Sequence, residues 1–428
     1  MLLVLILCSA YTYADETDSS TSNNTSESGF SPRTYLTLAF DPGLTMRSGA
    51  EDIITIHNGI VQVEDRFIGT RWFSEKRFLG KTGGIVCRAV KHAFVDLPVD
   101  FYSVVFAHEY LGHGARYREL GIDKVHYAFD LPPPYGEGGG EASASVGPGV
   151  INDHEILAIW IGGVEVHSIL NKRLSLRWMA KREIQYREAS VYFRSWQIMF
   201  DYIQGTTEDL AKNEPDNDPR AYVRIINRHQ GYTDLDNLAM DVKDLKSSTM
   251  INLANPFLFY SLFTIVKTYL WDGRNSNEFP TLNIKGVGYL PSLRTGLTPF
   301  GVEYHLENYL RFQNKVMLLD LRIGDQAFHK SWGGVGVLIQ NVYGNERFSL
   351  DMNLGVWSQP EIEIGADPID SKGGGLGGAF SLRGYYDFTD SPYPISAAVE
   401  LGYKSPGFLE GYVLDASPMI MVGVGVGN

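Results

Sequence analysis

The chain has 428 residues, of which 44% are hydrophobic and 20% charged. That is enough apolar material for a real core and excludes a wholly disordered chain. A net charge of −13 argues against general nucleic-acid binding, which needs a basic footprint, and two cysteines exclude a disulfide framework. The length suits about two or three domains.

The N-terminus reads as an export signal over residues 1–14. Leu2 to Ala10 form an apolar run too short to span a bilayer, and Thr12 and Ala14 supply small residues before a cleavage point. Residues 15–34 are polar and acidic with almost nothing to bury, which predicts a disordered leader. Residues 35–90 read as a small β-rich segment. Leu36, Leu38 and Phe40 alternate with Thr37 and Ala39, and His57-Asn58-Gly59 between two apolar runs carries the signal of a hairpin turn. His57 is expected to sit solvated in that turn.

Residues 91–275 read as helical, with apolar residues at three and four spacing through Val104–Leu120, Ile156–Leu176 and Ala189–Ile203. Asn255 to Trp271 is a strongly apolar helix, shorter than a membrane span and carrying Lys267, and is expected in the core. Residues 276–428 change character. More than half of the glycines lie beyond Lys285, and the period becomes two, as in Phe348, Leu350, Met352, Leu354 and Val356. Seven or eight antiparallel strands are expected, as a sheet, sandwich or barrel. The fold class is therefore α+β, a helical metal-binding domain followed by an antiparallel β-sheet or β-barrel domain.

The chemistry centres on Ala107 to Ala115, AHEYLGHGA. Within it His108-Glu109-Tyr110-Leu111-Gly112-His113 forms an HExxGH pattern on a predicted helix. The familiar zinc-peptidase spacing puts two His at i and i+4, on one helical face. Here the spacing is i and i+5, which in an ideal α-helix separates the side chains by roughly 140°. Both can meet one metal only if the helix is bulged by a residue, and Gly112 sits where such a π-bulge would be needed.

The pattern resembles the HExxGH signature of the dipeptidyl peptidase III family of zinc peptidases. The resemblance covers these six residues and a downstream glutamate. It implies His108 and His113 as Zn²⁺ ligands, Glu109 as general base and Glu165, on a second helix, as third ligand. A looser similarity is to site-2-type membrane proteases, which follow the zinc helix with a glycine and a β-like stretch, as in Gly121 to Val125. Glu165 also has a physical argument: its helical neighbours Ile161, Gly162, Ser168 and Ile169 form a largely apolar stripe, where a carboxylate must meet something positive. Gly162 and Gly163 would let this helix approach the first closely. His167 is a reserve ligand, with His126 and His154 behind it. Two His, one Glu and an open position form a catalytic rather than a structural zinc pattern.

The expected function is an exported zinc metallopeptidase acting on a peptide or protein substrate, a hydrolase in the periplasm or outer membrane of a Gram-negative-type cell. Tyr110, Tyr127 and His126 are candidate transition-state donors, and the Pro- and Gly-rich stretch Leu131 to Val150 is a connector near the site. The alternative is an outer-membrane β-barrel or binding protein with a non-catalytic or absent metal site. Its support is the alternating Gly- and Tyr-rich tail, whose apolar face would meet lipid while Asp351, Asn353, Glu400 and Lys404 line the interior or pack on the helices.

Overall fold

The computed structural model describes residues 34–67, 80–147, 149–210, 217–234, 237–324, 331–365, 371–389 and 394–427. The expected signal and almost all of the leader lie outside these residues. After strand β1 (Tyr35–Phe40) the chain enters helix α1 (Met46–Phe67), then α2 (Gly80–Lys91), a π-helical turn (His92–Asp96) and α3 (Leu97–Phe106). The expected hairpin is therefore a helix. His57-Asn58-Gly59 lies inside α1, and His57 is buried 3.7 Å from Asp100 rather than solvated. Burial drives its imidazole down to about 3, with Arg187 adding to the effect, so it is neutral. Apolar residues of α1 such as Met46, Ala50, Ile53 and Ile54 recur at helical spacing and reach the core, and tertiary packing outweighs the local turn signal.

Helix α3 continues into a π-helical segment (Ala107–His113) and α4 (Gly114–Glu119). A short hairpin, β2 (His126–Phe129) and β3 (Gly140–Ser143), leads to α5 (Asp153–Lys181). Asn152 caps α5 by accepting from the Glu155 amide at 3.0 Å, while Glu155 accepts from the Asn152 amide at 2.9 Å. Such a reciprocal box contributes about 1 kcal/mol at a helix start. Arg182, in the left-handed region, ends the helix. Helix α5 is buried on nearly every side and forms the axis of the molecule.

Strand β4 (Glu183–Gln185), α6 (Tyr186–Gln204), α7 (Asp218–His229), α8 (Val242–Thr249), a 3₁₀ turn (Met250–Ala254) and α9 (Pro256–Phe263) follow. A second π-helical segment (Thr264–Trp271) extends α9. The segment expected wholly in the core is only half so: Phe257, Leu258, Ile265 and Tyr269 are buried, whereas Phe259, Phe263, Val266 and Trp271 are exposed.

Strand β5 (Ser276–Glu278) pairs with β4. The remaining strands are β6 (Leu282–Ile284), β7 (Val287–Thr298), β8 (Gly301–Phe312), β9 (Lys315–Gly324), β10 (Gly333–Gly344), β11 (Phe348–Ile364), β12 (Ser371–Asp387), β13 (Ile395–Lys404) and β14 (Ser417–Gly427). They run as an antiparallel meander, and β1 joins as the partner of β14, so ten strands form one sheet in the order β1-β14-β13-β12-β11-β10-β9-β8-β7-β6. The tail is β as expected, but the sheet is not closed into a barrel, because β1 and β6 do not pair.

The sheet is inverted relative to that of an ordinary water-soluble protein. Its inward positions are charged and buried: Glu307, Asp320, Arg383, Glu400 and Lys404. Arg383 pairs with Glu400 at 2.6 Å and with Glu51 of α1 at 2.8 Å, and Arg47 of α1 reaches Glu400 at 2.6 Å. Arg294 pairs with Glu307 and Glu410, and Lys172 of α5 meets Glu410 at 3.1 Å. Asn353 donates to the Tyr412 hydroxyl, and Lys404 donates to the carbonyls of Ser405, Gly407 and Leu414. The apolar core is shared between the two sequence regions, since Leu170, Trp178 and Phe257 cluster with Leu290, Tyr309 and Leu318 of the sheet.

Because Glu400 accepts from both Arg47 and Arg383, its loss leaves one positive charge of the cluster without compensation. Glu400→Gln is expected to destabilise the fold by about 3–5 kcal/mol, read as a lowered denaturation midpoint. A stability equal to that of the parent chain would show that the network is not structural.

Candidate metal centre

An α-helix closes its hydrogen bonds from i to i−4, and a π-helix from i to i−5. Around the HExxGH motif the backbone takes the second option, with the Gly114 amide donating to the Glu109 carbonyl. The wider turn brings residue i+5 back to the face of residue i. His108 and His113 therefore meet with ring centroids 4.9 Å apart, which is the bulge that the spacing requires.

The π-helical segment lies against α5 at Gly162 and Gly163. A Cβ on Gly112 would stand 2.6 Å from the Gly162 carbonyl oxygen, and a Cβ on Gly163 would stand 2.3 Å from Nε2 of His108. No side chain fits at either place. The two glycines do permit the close approach expected of them, and the imidazole occupies the space they leave.

Glu165 is not brought to the histidines. It faces Arg116 of α4, which donates to its carboxylate from Nη2 at 2.7 Å and from Nε at 3.2 Å, and it also accepts from the Gly411 amide at 2.6 Å. The demand for a positive partner on that apolar stripe is met by a guanidinium. The third group at the histidines is Asp218, the first residue of α7. Its Oδ2 lies 3.1 Å from Nε2 of His108 and 3.0 Å from Nε2 of His113. All three side chains are buried. Asp218 follows the helix cap Asn217 and precedes Pro219, a helix-start pattern with nothing in it that signals a metal ligand.

The proton inventory leaves a place at this point for a proton or a cation. Nδ1 of His113 lies 2.7 Å from the Ile159 carbonyl oxygen. A carbonyl only accepts, so Nδ1 carries the proton of the neutral ring and Nε2 turns a lone pair towards Asp218. Nδ1 of His108 contacts Nε2 of His167 at 3.2 Å, whose own Nδ1 meets the Ser195 hydroxyl at 3.0 Å. Burial holds His167 well below its ordinary value, with His108 and His113 adding to the effect, so it is neutral. His167 thus stands behind His108 as a support and not beside it as a ligand, the usual outer-shell arrangement of metal-binding histidines. A lone pair aimed at a carboxylate oxygen needs a proton or a metal between them. The 3.0–3.1 Å separations are close to the roughly 3.3 Å between ligand atoms of a tetrahedral site with bonds of about 2.0–2.1 Å.

Without a metal the protons take that place. Burial opposes charging His113, but Asp218 outweighs it and lifts the imidazole to about 9. Burial likewise opposes ionising Asp218, and His113 and His108 hold its carboxyl well below the usual carboxylate range.

Glu109 is buried beside the triad. Burial raises its carboxyl, against the lowering effect of His108 and His113. Strand β3 covers it: a Cβ on Gly140 would stand 2.7 Å from Cγ of Glu109. The Pro- and Gly-rich stretch is thus partly a hairpin over the motif. His126 is exposed and pairs in register with Ser143, and His154 packs on His229. Tyr110 and Tyr127 pack on each other, with Arg118 over the Tyr110 ring. The phenols that sense both Asp218 and Glu109 are Tyr117 and Tyr202, and Tyr202 packs edge-on to His108 and accepts from the Asp218 amide.

Comparison of the chain with family models, with curated proteins and with solved structures finds no match.

Three outcomes are expected from metal analysis. Asp218→Asn and Gly163→Ala lose bound zinc, while Glu165→Gln retains it; the reverse order would return Glu165 to the site. Binding must displace the proton that His113 holds up to about 9. Zinc affinity therefore climbs with pH, about tenfold per unit for one displaced proton, and levels off near that value. Titration calorimetry at several pH values measures the slope, and a flat profile would contradict the assignment.

Proposed function

We propose that the chain is a zinc-dependent peptidase whose metal is held by His108, His113 and Asp218, with Glu109 as the proton carrier. The observation that supports it most is the convergence of two imidazole Nε2 atoms and one carboxylate oxygen beside a buried glutamate. Two nitrogens and one oxygen leave a fourth position open, as in catalytic rather than structural zinc sites. Zinc bound there supplies an acidified water and a Lewis acid for the scissile carbonyl.

The chain's own groups do the rest. Burial raises Glu109, which makes its carboxylate a stronger base for the proton of water that it then hands to the leaving amine. His167 and the Ile159 carbonyl fix the two imidazoles so that both Nε2 atoms point inward. Tyr202, edge-on to His108, is the nearest candidate hydroxyl for a developing oxyanion, and Tyr117, whose hydroxyl reaches the Ala142 carbonyl of β3, is a second. Strand β3 belongs to a two-stranded sheet and has one unpaired edge. With Gly140 against Glu109, an extended peptide added along that edge passes over the catalytic carboxylate. The metal and the general base are those implied by the HExxGH resemblance, whereas the third ligand departs from it.

The test is Glu109→Gln. The variant is expected to keep about one zinc per chain and its fold, and to lose at least about a hundredfold in hydrolysis of an unstructured protein such as casein. Undiminished hydrolysis would exclude Glu109 as the base.

A further inference from the structure

A sheet that buries charge on its inner face leaves its apolar face outside. On β8 to β14 the outward positions include Leu321, Val335, Leu354, Leu401 and Val422, and Leu401 is 58% exposed and Val422 51%. These residues sit side by side through the registers Leu321↔Val335, Val335↔Val356, Leu354↔Phe380 and Leu382↔Leu401. The apolar face is therefore continuous across neighbouring strands. On a soluble monomer exposed apolar residues are usually scattered or confined to a patch of a few hundred Å², whereas here they continue from strand to strand across the sheet.

An open sheet in hydrocarbon would carry unpaired edge groups that no water could satisfy. Here helices reach both edges. At β1, Asp52 of α1 accepts from the Ala39 amide at 2.7 Å and Thr55 donates to the Thr37 carbonyl at 2.9 Å. At the other side β6 pairs only Val287–Tyr289 of β7, and beyond it Asn252 of the 3₁₀ turn accepts from the Thr295 amide of β7 at 2.7 Å. The gap that a closed barrel would fill with strands is filled by helices.

The helices that fill it are also apolar outside. Phe259, Phe263 and Val266 recur at i, i+4 and i+7 on one exposed stripe. Helix α2 packs next to them, with Arg88 donating to the Leu270 carbonyl, and it exposes Val86 and Val90, followed by Phe94 of the π-helical turn after it. An exposed helix face in water carries polar residues at such positions. Among the described residues no single helix is long and apolar enough to cross a membrane; one bent pair, Val242–Ala254 and Pro256–Trp271, passes by length and composition only.

We propose that this chain is embedded in a lipid bilayer through a composite belt, the outer face of the ten-stranded sheet continued by the outer faces of α9 and α2, with the charged network and the His108–His113–Asp218 site inside. The occupant is lipid acyl chain and not a second copy. A two-fold contact covers one patch, whereas the apolar surface runs over the strands and on to helices that close the gap between the sheet's two edges. The inference is independent of catalysis and of zinc.

The experiment uses the full chain purified in detergent and reconstituted in phosphatidylcholine vesicles with nitroxide-labelled acyl chains. A fluorophore is placed on single cysteines at Leu401→Cys in β13, Phe263→Cys in α9 and Asp123→Cys in the turn after α4, with Cys8 and Cys87 replaced by serine. Quenching is expected at Leu401→Cys and Phe263→Cys and not at Asp123→Cys, and the unsubstituted chain should float with the vesicles. Quenching in β13 but not in α9 would overturn the helical part of the belt. Recovery of the unsubstituted full-length chain as a monomer in detergent-free buffer would overturn the whole proposal. Burial of both labels in a detergent-free dimer would do the same and assign the face to a second copy.

Discussion

The architecture depends on one close contact, the π-helical turn at His108–His113 lying on the Gly162–Gly163 step of α5. Without the wider turn the two imidazoles would point to different sides of a helix, and without the glycines the His108 ring would have no room. Once α5 is placed by that contact, the Ile159 carbonyl and His167 fall behind the two rings and orient them. Helix α7 brings Asp218 to the opposite side. Backbone geometry, side-chain orientation and charge all converge on one point, and each is a precondition of the next.

Charge neutralisation inside the sheet is the second organising force. A buried ion is tolerated only when paired and hydrogen-bonded. The strands supply Arg294, Glu307, Arg383 and Glu400, and the helices answer with Arg47, Glu51 and Lys172. Charged residues on the side that faces the helices leave aliphatic residues on the other side, because side chains alternate along a strand. The polar interior and the apolar exterior are thus one consequence of the same period-two pattern. Arg116 belongs to this logic too: it takes up Glu165 and so withdraws that carboxylate from the histidines.

Much of this is legible in the sequence. The long helices over 104–120, 156–176 and 189–203 follow from apolar residues at three and four spacing, and the antiparallel strands of the tail from alternation broken by turns. The i to i+5 spacing of His108 and His113 by itself demands a bulge if the two are to share a face, and Gly162 and Gly163 announce a close helix contact. These features are local, so local rules read them. The turn signal at Asn58-Gly59 misleads for the same reason: it is weaker than the burial of a whole amphipathic helix, which depends on partners far along the chain.

What the sequence determined by itself is the kind of chemistry on offer: two histidines and a glutamate at a set spacing, a second helix with glycines to pack on it, and strands with one apolar and one charged face. Tertiary structure alone decided which carboxylate faces the histidines. Glu165 and Asp218 both start or lie within helices and both are buried, and no local pattern ranks one over the other. The choice is made by where Arg116 points, since a guanidinium within hydrogen-bonding distance neutralises one carboxylate and leaves the other to the imidazoles. Tertiary structure also decided how the sheet ends. Whether ten strands close on themselves or are sealed by α1 and the turn before α9 depends on whether β1 meets β6 from the far end of the sheet or the nearer Asp52–Ala39 and Asn252–Thr295 contacts take the edges, and sequence alternation carries no information about that choice.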